Sequence, residues 1–271
     1  MRPYLAYLGA RFRAMLQYRA AALAGMTTQV FWGFIKIMVL EAFYASSTAV
    51  QPISFPQLVA YVWLGQGFLG MLPWNVDRDI RAMIRDGGVS YELLRPLDLY
   101  SVWYVRSMAT RTATTLLRSV PLFLFAGLLL RVIGLSDLAL SLPPDGLAFA
   151  TFVASMVLAA FLSCAISTFL HTTMMWTISG EGVGVLIPVA ATIFSGMIIP
   201  LPLFPDWMQL FFRLMPFHGL VDTPFRIYAG NIAGAEAGWM LLQQTAWVAV
   251  VILAGKRLVG RGLRKLVVQG G

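Results

Sequence analysis

Apolar stretches long enough to cross a bilayer alternate along this chain with short polar connections. A helix needs about 20 consecutive apolar residues to span the hydrocarbon core of a membrane. We therefore predict an all-α integral membrane protein with six transmembrane helices in a single domain, residues 1–271. The predicted spans are residues 20–44, 56–74, 103–133, 147–170, 182–199 and 237–254. Pro188 lies in the fifth stretch and is expected to break it.

Two other segments are apolar on one side only. Residues 3–18 carry an apolar stripe flanked by Arg11 and Arg13, which is typical of an amphipathic helix lying in the headgroup region. Residues 200–231 are too apolar for a plain loop and too rich in proline for a span. Four of their apolar residues share a helical face: Trp207, Leu210, Phe211 and Leu214. We predict short outer helices or a re-entrant pair there, covered by protein.

The one long polar passage is residues 77–96, DRDIRAMIRDGGVSYELLRP, between the second and third spans. Asp77 is expected to cap a helix over 78–85, and the glycine pair 87–88 to end it. Ser90 is expected to open a second short turn over 91–94. Three apolar residues share one face of the first helix: Ile80, Met83 and Ile84. Because a purely solvated loop has little use for an apolar face, we favour a loop that contacts a partner, and a merely solvated loop is the alternative.

Composition supports the membrane class. The chain is 59% hydrophobic and 12% charged, with a mean hydropathy of +0.75, whereas soluble domains are about 25% charged. The net charge of +8 would fit a nucleic-acid binder, but the basic residues lie beside the apolar spans. Sixteen lysines and arginines fall in the N-terminal segment, the loop 77–96 with the start of the third span, and the C-terminal tail, against three on the other side. The positive-inside rule then puts both termini and the loop in the cytoplasm.

Familiar catalytic and nucleotide-binding patterns are missing from the sequence. There is no phosphate-binding G-x-x-x-x-G-K-[ST] loop, no H-E-x-x-H and no G-x-S-x-G. The single cysteine, Cys164, and the two histidines, His171 and His218, give no metal-ligand spacing. We therefore expect no catalytic residue, no cofactor site and no metal site in this chain. No cleaved signal peptide is predicted at the N-terminus.

Three basic residues lie within or near predicted spans and are candidates for a translocation pathway: Lys36, Arg111 and Arg118. Charged residues inside a membrane usually face a bundle interior or a wet cavity. Lys36 has the alternatives of binding carbonyls of another helix or snorkelling to the headgroups. For the two arginines, snorkelling toward the cytoplasm is the favoured interpretation and substrate contact the alternative.

The whole pattern resembles the type-2 ATP-binding-cassette exporter permeases. The similarity rests on six spans, an interfacial N-terminal helix, a helical loop after the second span and a proline-rich segment before the last. SGMIIPLPLFPDWMQLFFRLMPF (195–217) is similar to the outer segment of that family. GGVSYELLRPLD (87–98) resembles the loop of a bacterial subfamily often encoded as two permeases with one ATPase.

This resemblance implies a permease subunit that is not itself an enzyme, in the bacterial inner membrane. It would export a lipid-like, amphipathic or drug-like substrate, with ATP and Mg²⁺ bound by a separate cytoplasmic ATPase. A second permease chain, identical or a sister, would complete the assembly, and the link 171–181 would be a weaker second ATPase contact. The loop 77–96 would contain the coupling helix, with these implied ATPase contacts: Ile80, Arg81, Met83, Ile84, Arg85, Asp86, Gly87, Gly88, Glu92, Leu93, Leu94 and Arg95.

Two other classes stay open on the residues alone. A secondary transporter would show inverted repeats and paired charges near mid-span, and a membrane-embedded enzyme would show a cluster of His, Asp or Glu at a membrane face. We see no convincing repeat and no such cluster in the sequence, so the permease is preferred.

Overall fold

The computed structural model describes residues 2–48, 50–74, 76–176 and 181–264, and within these ranges the protein consists of helices and turns with no strand. The α-helices are α1 (Arg2–Met15), α2 (Arg19–Ser46), α3 (Phe55–Gly67), α4 (Arg78–Arg85), α5 (Val89–Leu93), α6 (Leu99–Leu124), α7 (Leu130–Val132), α8 (Gly146–Thr173), α9 (Glu181–Phe194), α10 (Asp206–Leu214), α11 (Asp222–Tyr228) and α12 (Gly234–Leu263). A π-helical turn, Phe125–Leu129, joins α6 to α7 without a break.

Four helical stretches of the described chain are long and apolar enough to cross a membrane: Arg19–Ser46, Leu99–Val132, Gly146–Trp176 and Gly234–Leu263. They confirm the all-α membrane class and coincide with four of the predicted spans. The other two predicted spans are helical over shorter lengths. α3 has 13 residues and α9 has 14, and at 1.5 Å per residue each is about 20 Å long, short of the roughly 30 Å hydrocarbon core. The count of six spans stays a prediction.

α9 runs through Pro188, so the predicted break at this residue is wrong. Membrane helices tolerate an internal proline where neighbouring groups compensate for the disturbed backbone hydrogen bonding. The Thr192 hydroxyl donates to the Pro188 carbonyl oxygen at 2.7 Å, so this carbonyl has a hydrogen-bond partner. The helix ends at Phe194 instead, shortly before Gly196, whose φ of +85° lies in the left-handed region that glycine favours.

The main hydrophobic core surrounds α3, in which every residue from Leu58 to Gly67 is buried. Close helix contact depends on small residues here. A Cβ placed on Gly67 would lie 2.3 Å from the ring of Phe123 in α6, and one on Gly70 would lie 2.9 Å from the Thr115 hydroxyl. The backbone of α3 and of the turn that follows it therefore lies directly against α6.

Residues 200–231, the segment for which short helices are predicted, contain the two short helices α10 and α11. The predicted apolar face of α10 is largely exposed, with Trp207 at 78% and Leu210 at 66%, so it is free to meet the headgroup region, while Phe212 points inward. α11 is a buried helix packed on α8, in agreement with the prediction that part of this segment is covered by protein. Its Asp222 accepts a hydrogen bond from the Tyr61 hydroxyl of α3 at 3.3 Å.

A second, separate hydrophobic cluster lies at the end of the molecule that carries the loop 77–96. We call it the loop-end cluster, and its buried members are Ile80, Val89, Leu99, Tyr100, Val102, Trp103 and Val259. Tyr4 and Tyr7 of α1 pack against it, whereas Leu5 on the predicted apolar stripe is 65% exposed. α1 ends at Met15 rather than at residue 18. One face of α1 therefore binds the protein and another is free for the membrane surface.

Candidate functional site

The loop 77–96 folds as two short helices joined at glycine. The Asp77 carboxylate accepts hydrogen bonds from the backbone N–H groups of Asp79 and Ile80, at 3.0 and 3.3 Å, which caps α4 as predicted. Gly87 follows α4 with a φ of +74°, the left-handed conformation that ends a helix. The second turn is α5, Val89–Leu93, and not 91–94; Ser90 lies inside it, and its hydroxyl donates to the Gly87 carbonyl.

Asp77 also joins this loop to α6. Arg106 donates from Nε and from one terminal nitrogen to the two carboxylate oxygens of Asp77, at 2.5 and 2.7 Å, and the same terminal nitrogen reaches Asp79. The Arg106 side chain is only 9% exposed and that of Asp77 24%. Bidentate pairing of an arginine with a carboxylate fixes direction as well as distance. The start of α4 is therefore held in one orientation on α6.

The same aspartate is bound to α8 through its backbone. The Asp77 N–H donates to Nε2 of His171 at 2.9 Å, so this histidine is neutral and carries its proton on Nδ1. The His171 side chain is buried, and its Nδ1 makes no hydrogen bond with any described residue. Its ring packs edge-on against Trp103 of the loop-end cluster, with centroids 6.4 Å apart. The residue before α4 thus binds both α6 and α8.

α1 makes a third connection at this end. Arg11 lies 3.8 Å from the Asp79 carboxylate, and the Tyr4 hydroxyl accepts a hydrogen bond from the Asp98 N–H, where α6 begins. Asp98 caps α6 by accepting from the Ser101 N–H. The N-terminal helix therefore braces both ends of the loop.

The electrostatics of Asp77 follow from these contacts. Burial alone would raise the pKa of this carboxyl, but the hydrogen bonds and the charge of Arg106 outweigh that effect. Together with the Ile80 N–H, they hold the pKa of Asp77 below its usual value. Asp77 is therefore ionised throughout the physiological pH range.

The implied ATPase contacts differ in how much surface they offer. Ile80 is completely buried within the loop-end cluster, so its apolar side chain packs inside its own chain and offers no surface to a partner in this structure. Its role as an ATPase contact stays a prediction. Four others are half-buried: Met83, Ile84, Gly88 and Glu92. Seven are exposed: Arg81, Arg85, Asp86, Gly87, Leu93, Leu94 and Arg95. Tyr91, which was not among the predicted contacts, is 75% exposed beside Leu94 at 81%.

The second implied contact, the link 171–181, is described only in part. His171 and the 3-10 turn Met174–Trp176 are described, and that turn lies against α4. Residues 177–180 lie outside the described residues.

A cavity of about 650 Å³ begins at Asp77 and His171 and extends along α6 as far as Arg118. One wall is a polar stripe of α6 at helical spacing: Ser107, Thr110, Arg111, Thr114 and Arg118. The facing wall comes from the chain that follows α3: Leu69, Gly70, Leu72, Trp74 and Val76. Small-molecule sites in proteins have volumes of about 300–1,000 Å³. The cavity is thus of ligand size and has one polar and one apolar side.

The structure brings two of the three candidate pathway residues together in this cavity. Arg111 donates to the Leu72 carbonyl and, at 2.6 Å, to the Ser167 hydroxyl, so much of its hydrogen-bonding capacity holds the chain after α3 against α8. Arg118 lies farther along the same wall. Lys36 does not line this cavity: its ammonium donates to the carbonyl oxygen of Met197, in the turn after α9, at 2.9 Å, and its pathway role stays a prediction.

Sequence reasoning missed two residues that fix the loop. Arg106 was counted only among the basic residues at the start of the third span, and His171 was noted only for its lack of metal-ligand spacing and as the start of the link 171–181. Each of the two residues has Asp77 as its partner, and Asp77 is distant from both of them in sequence. The available signal was that two acids, Asp77 at the cap and Asp79 in the first turn, lie at the start of a helix, with arginines at the start of the next span.

These features define a polytopic helical membrane protein whose polar loop is anchored on its long helices beside a ligand-sized cavity. Residues 30–270 match a family described as ABC-2 family transporter protein, and the chain belongs to this family. No curated protein and no solved structure matches the chain. Members of such permease families are membrane transport components that associate with an ATP-binding subunit. Membership therefore favours an ABC permease over a secondary transporter or a membrane-embedded enzyme.

Proposed function

We propose that this protein is the permease subunit of an ATP-driven exporter of amphipathic substrates in the bacterial inner membrane. In this proposal both termini and the loop 77–96 are cytoplasmic, as the sixteen-to-three distribution of basic residues supports. A separate ATPase binds ATP and Mg²⁺ and docks on the loop. A second permease chain, a copy or a sister, completes the transporter.

The observation that carries the proposal is the anchoring of α4. Asp77, at its N-terminus, is bound through its carboxylate to Arg106 in α6 and through its N–H to His171 in α8. A force applied to α4 is therefore passed directly to two long helices. A loop that served only to stay solvated would need none of these bonds.

The surface that the ATPase contacts in this proposal is the exposed side of the loop. It combines the apolar side chains of Tyr91 and Leu94 with the charges of Arg85 and Arg95. Apolar anchors in an interface typically contribute more than about 1 kcal/mol each, and exposed charge pairs about 0–1 kcal/mol. Tyr91 and Leu94 should therefore matter more for docking than any single arginine.

The test is the double variant Tyr91→Asp with Leu94→Asp, co-expressed with a candidate ABC-type ATPase subunit from the same genome. Both side chains are exposed, so the variant should insert and fold like the parent. We expect the amount of co-purified ATPase to fall by at least about fivefold, since each lost anchor costs more than about 1 kcal/mol. Substitution of Met83 and Ile84 is less suitable, because both pack partly on the loop-end cluster.

The matched control is Leu142→Asp, which changes a leucine that is 75% exposed in the connection between α7 and α8. It should leave the co-purified ATPase unchanged. If the loop variant assembles with the ATPase and supports hydrolysis like the parent, the loop is not the docking element and the proposal fails.

A further inference from the structure

The cavity beside the anchored loop carries an excess of positive charge. Its lining includes two guanidinium groups, those of Arg111 and Arg118, and one carboxylate, that of Asp77. Asp77 is already paired with Arg106 through two hydrogen bonds. Arg111 is bound only to neutral groups, backbone carbonyls and the Ser167 hydroxyl. The cavity wall therefore has positive charge that no acid of the described chain balances.

Arg118 is the residue with hydrogen-bonding capacity to spare. It is half-buried, and it forms no hydrogen bond and no ion pair with any residue in the part of the chain that the structure describes. It lies within the longest stretch that could span the membrane, Leu99–Val132. A guanidinium has five N–H donors and is charged at every accessible pH, and in an apolar environment it requires a partner.

The position of this guanidinium is set by a glycine of α2. A Cβ placed on Gly25 would lie 2.9 Å from Cζ of Arg118 and 3.2 Å from one terminal nitrogen. Any side chain at residue 25 would therefore push the guanidinium away. Gly25 leaves the space in which Arg118 lies flat against α2.

Two further buried polar groups occur on the helices that flank Arg118. Gln29 lies one turn beyond Gly25 on α2; it is 3% exposed, and neither atom of its amide has a hydrogen-bond partner among the described residues. Thr115 lies one turn before Arg118 on α6 and is 3% exposed, and its hydroxyl has no hydrogen-bond partner among the described residues. Buried polar groups are nearly always satisfied in proteins. The α2–α6 contact beside Arg118 therefore contains buried polar groups that have no partner among the described residues, and neither Gln29 nor Thr115 lines the cavity itself.

We propose that the cavity binds an anionic amphiphile, with its carboxylate or phosphate on Arg118 and its apolar portion against Leu69, Leu72 and Trp74. The inference deepens the proposed transport function by giving the charge of the ligand and the residue that selects it. Arginine suits this role because its planar fork pairs two donors with an oxyanion. A cationic amphiphile would meet two guanidinium groups and only a neutralised carboxylate.

The experiment measures binding of a dansyl-labelled undecanoic acid to the full chain in nanodiscs of phosphatidylcholine, with empty nanodiscs subtracted. The matched amine, in which an ammonium replaces the carboxylate, is titrated in parallel. We expect the acid to bind the parent at least about tenfold more tightly than the amine, and Arg118→Gln to remove that preference, since a hydrogen bond to a charged group is among the stronger ones.

Two variants separate the charge from the geometry. Arg118→Lys keeps the charge without the fork and should retain part of the preference for the acid. Gly25→Leu leaves Arg118 in place but displaces its guanidinium, and should weaken binding of the acid while the helix keeps its stability, because leucine favours helix more than glycine does. The control is Arg257→Gln, an exposed arginine of α12 outside the cavity, which should bind like the parent.

The source of the anion is read from a second arm, in which phosphatidylglycerol replaces part of the phosphatidylcholine. Displacement of the probe identifies a bilayer lipid as the occupant, and undisturbed binding identifies a single-chain amphiphile; both support the site. Equal binding of acid and amine by the parent, or undiminished preference in Arg118→Gln, overturns the proposal.

The same samples are scored for co-purified ATPase. If the ATPase assembles while Arg118→Gln binds the acid like the parent, the anion site is refuted and the proposed function stands. If the preference depends on Arg118 but no ATPase assembles with the parent, the anion site stands and the proposed function fails.

Discussion

Arg106 in α6 donates two hydrogen bonds to the carboxylate of Asp77, the residue that caps α4. One carboxylate therefore caps the N-terminus of the short helix α4 and also fixes that helix to the long helix α6. The consequence is mechanical, because α4 cannot tilt without either breaking this ion pair or moving α6 with it.

Replacing Arg106 tests this anchoring. We expect Arg106→Gln to lower the free energy of unfolding by about 2 kcal/mol, because it leaves the partly buried Asp77 without its charged partner. The measurement is thermal unfolding in detergent followed by tryptophan fluorescence. Arg85→Gln is the control: Arg85 pairs with Asp86 in solvent, with side chains 82% and 66% exposed, and its loss should cost about 0–1 kcal/mol. Equal effects of the two substitutions would contradict the anchoring role of Arg106.

The depressed pKa of Asp77 predicts how stability depends on pH. A carboxyl whose pKa is lower in the folded state stabilises the fold above its unfolded value of about 4, and this contribution is lost as the pH falls through the folded value. The difference in melting temperature between the parent and Asp77→Asn should therefore be largest at neutral pH and should shrink in acid. A difference that stays constant with pH would show that the charge of Asp77 does not contribute.

The close contact of α3 with α6 predicts a strong effect of one added methyl group. Gly67→Ala should destabilise the protein by about 1–3 kcal/mol, because its Cβ would overlap the Phe123 ring. Gly238→Ala is the control, since Gly238 in α12 has open space around it and alanine favours helix by up to about 1 kcal/mol. In the Phe123→Ala background, Gly67→Ala should cost less than it does in the parent, because the overlap is gone. An equal cost in both backgrounds would show that the two residues are not in contact.

Cysteine labelling tests the orientation across the membrane. Tyr91→Cys in the loop and Asp137→Cys after α7 are both at exposed positions, and the native Cys164 is buried and should give little background in the parent. An impermeant maleimide should label residue 137 in intact cells and residue 91 only after the inner membrane is opened. Labelling of both residues from the same side would refute the predicted topology.

The sequence was most informative where local rules decide the structure. The cap at Asp77, the left-handed Gly87 and the long apolar helices each depend on residues that are close together in the chain. The family resemblance depended on the order of such elements, and the match over residues 30–270 bears it out.

Contacts between distant elements could not be predicted in the same way. Ile80 was assigned to a partner because its helix has an apolar face, and only the packing of α1, α6 and α12 shows that this residue is already enclosed. Arg111 and Arg118 looked alike seven residues apart on one helical face, yet one is bound to Leu72 and Ser167 while the other has no partner among the described residues. Helical periodicity gives the face of a residue, and it does not give the groups that the face meets.

The loop-end cluster has a consequence for biosynthesis. It takes Ile80 from the loop but also Val259 from α12, which leaves the ribosome long after α4. During synthesis the support beneath α4 is therefore incomplete until the final long helix has been inserted. An unfinished or truncated chain would therefore carry α4 without the packing of Val259 beneath it.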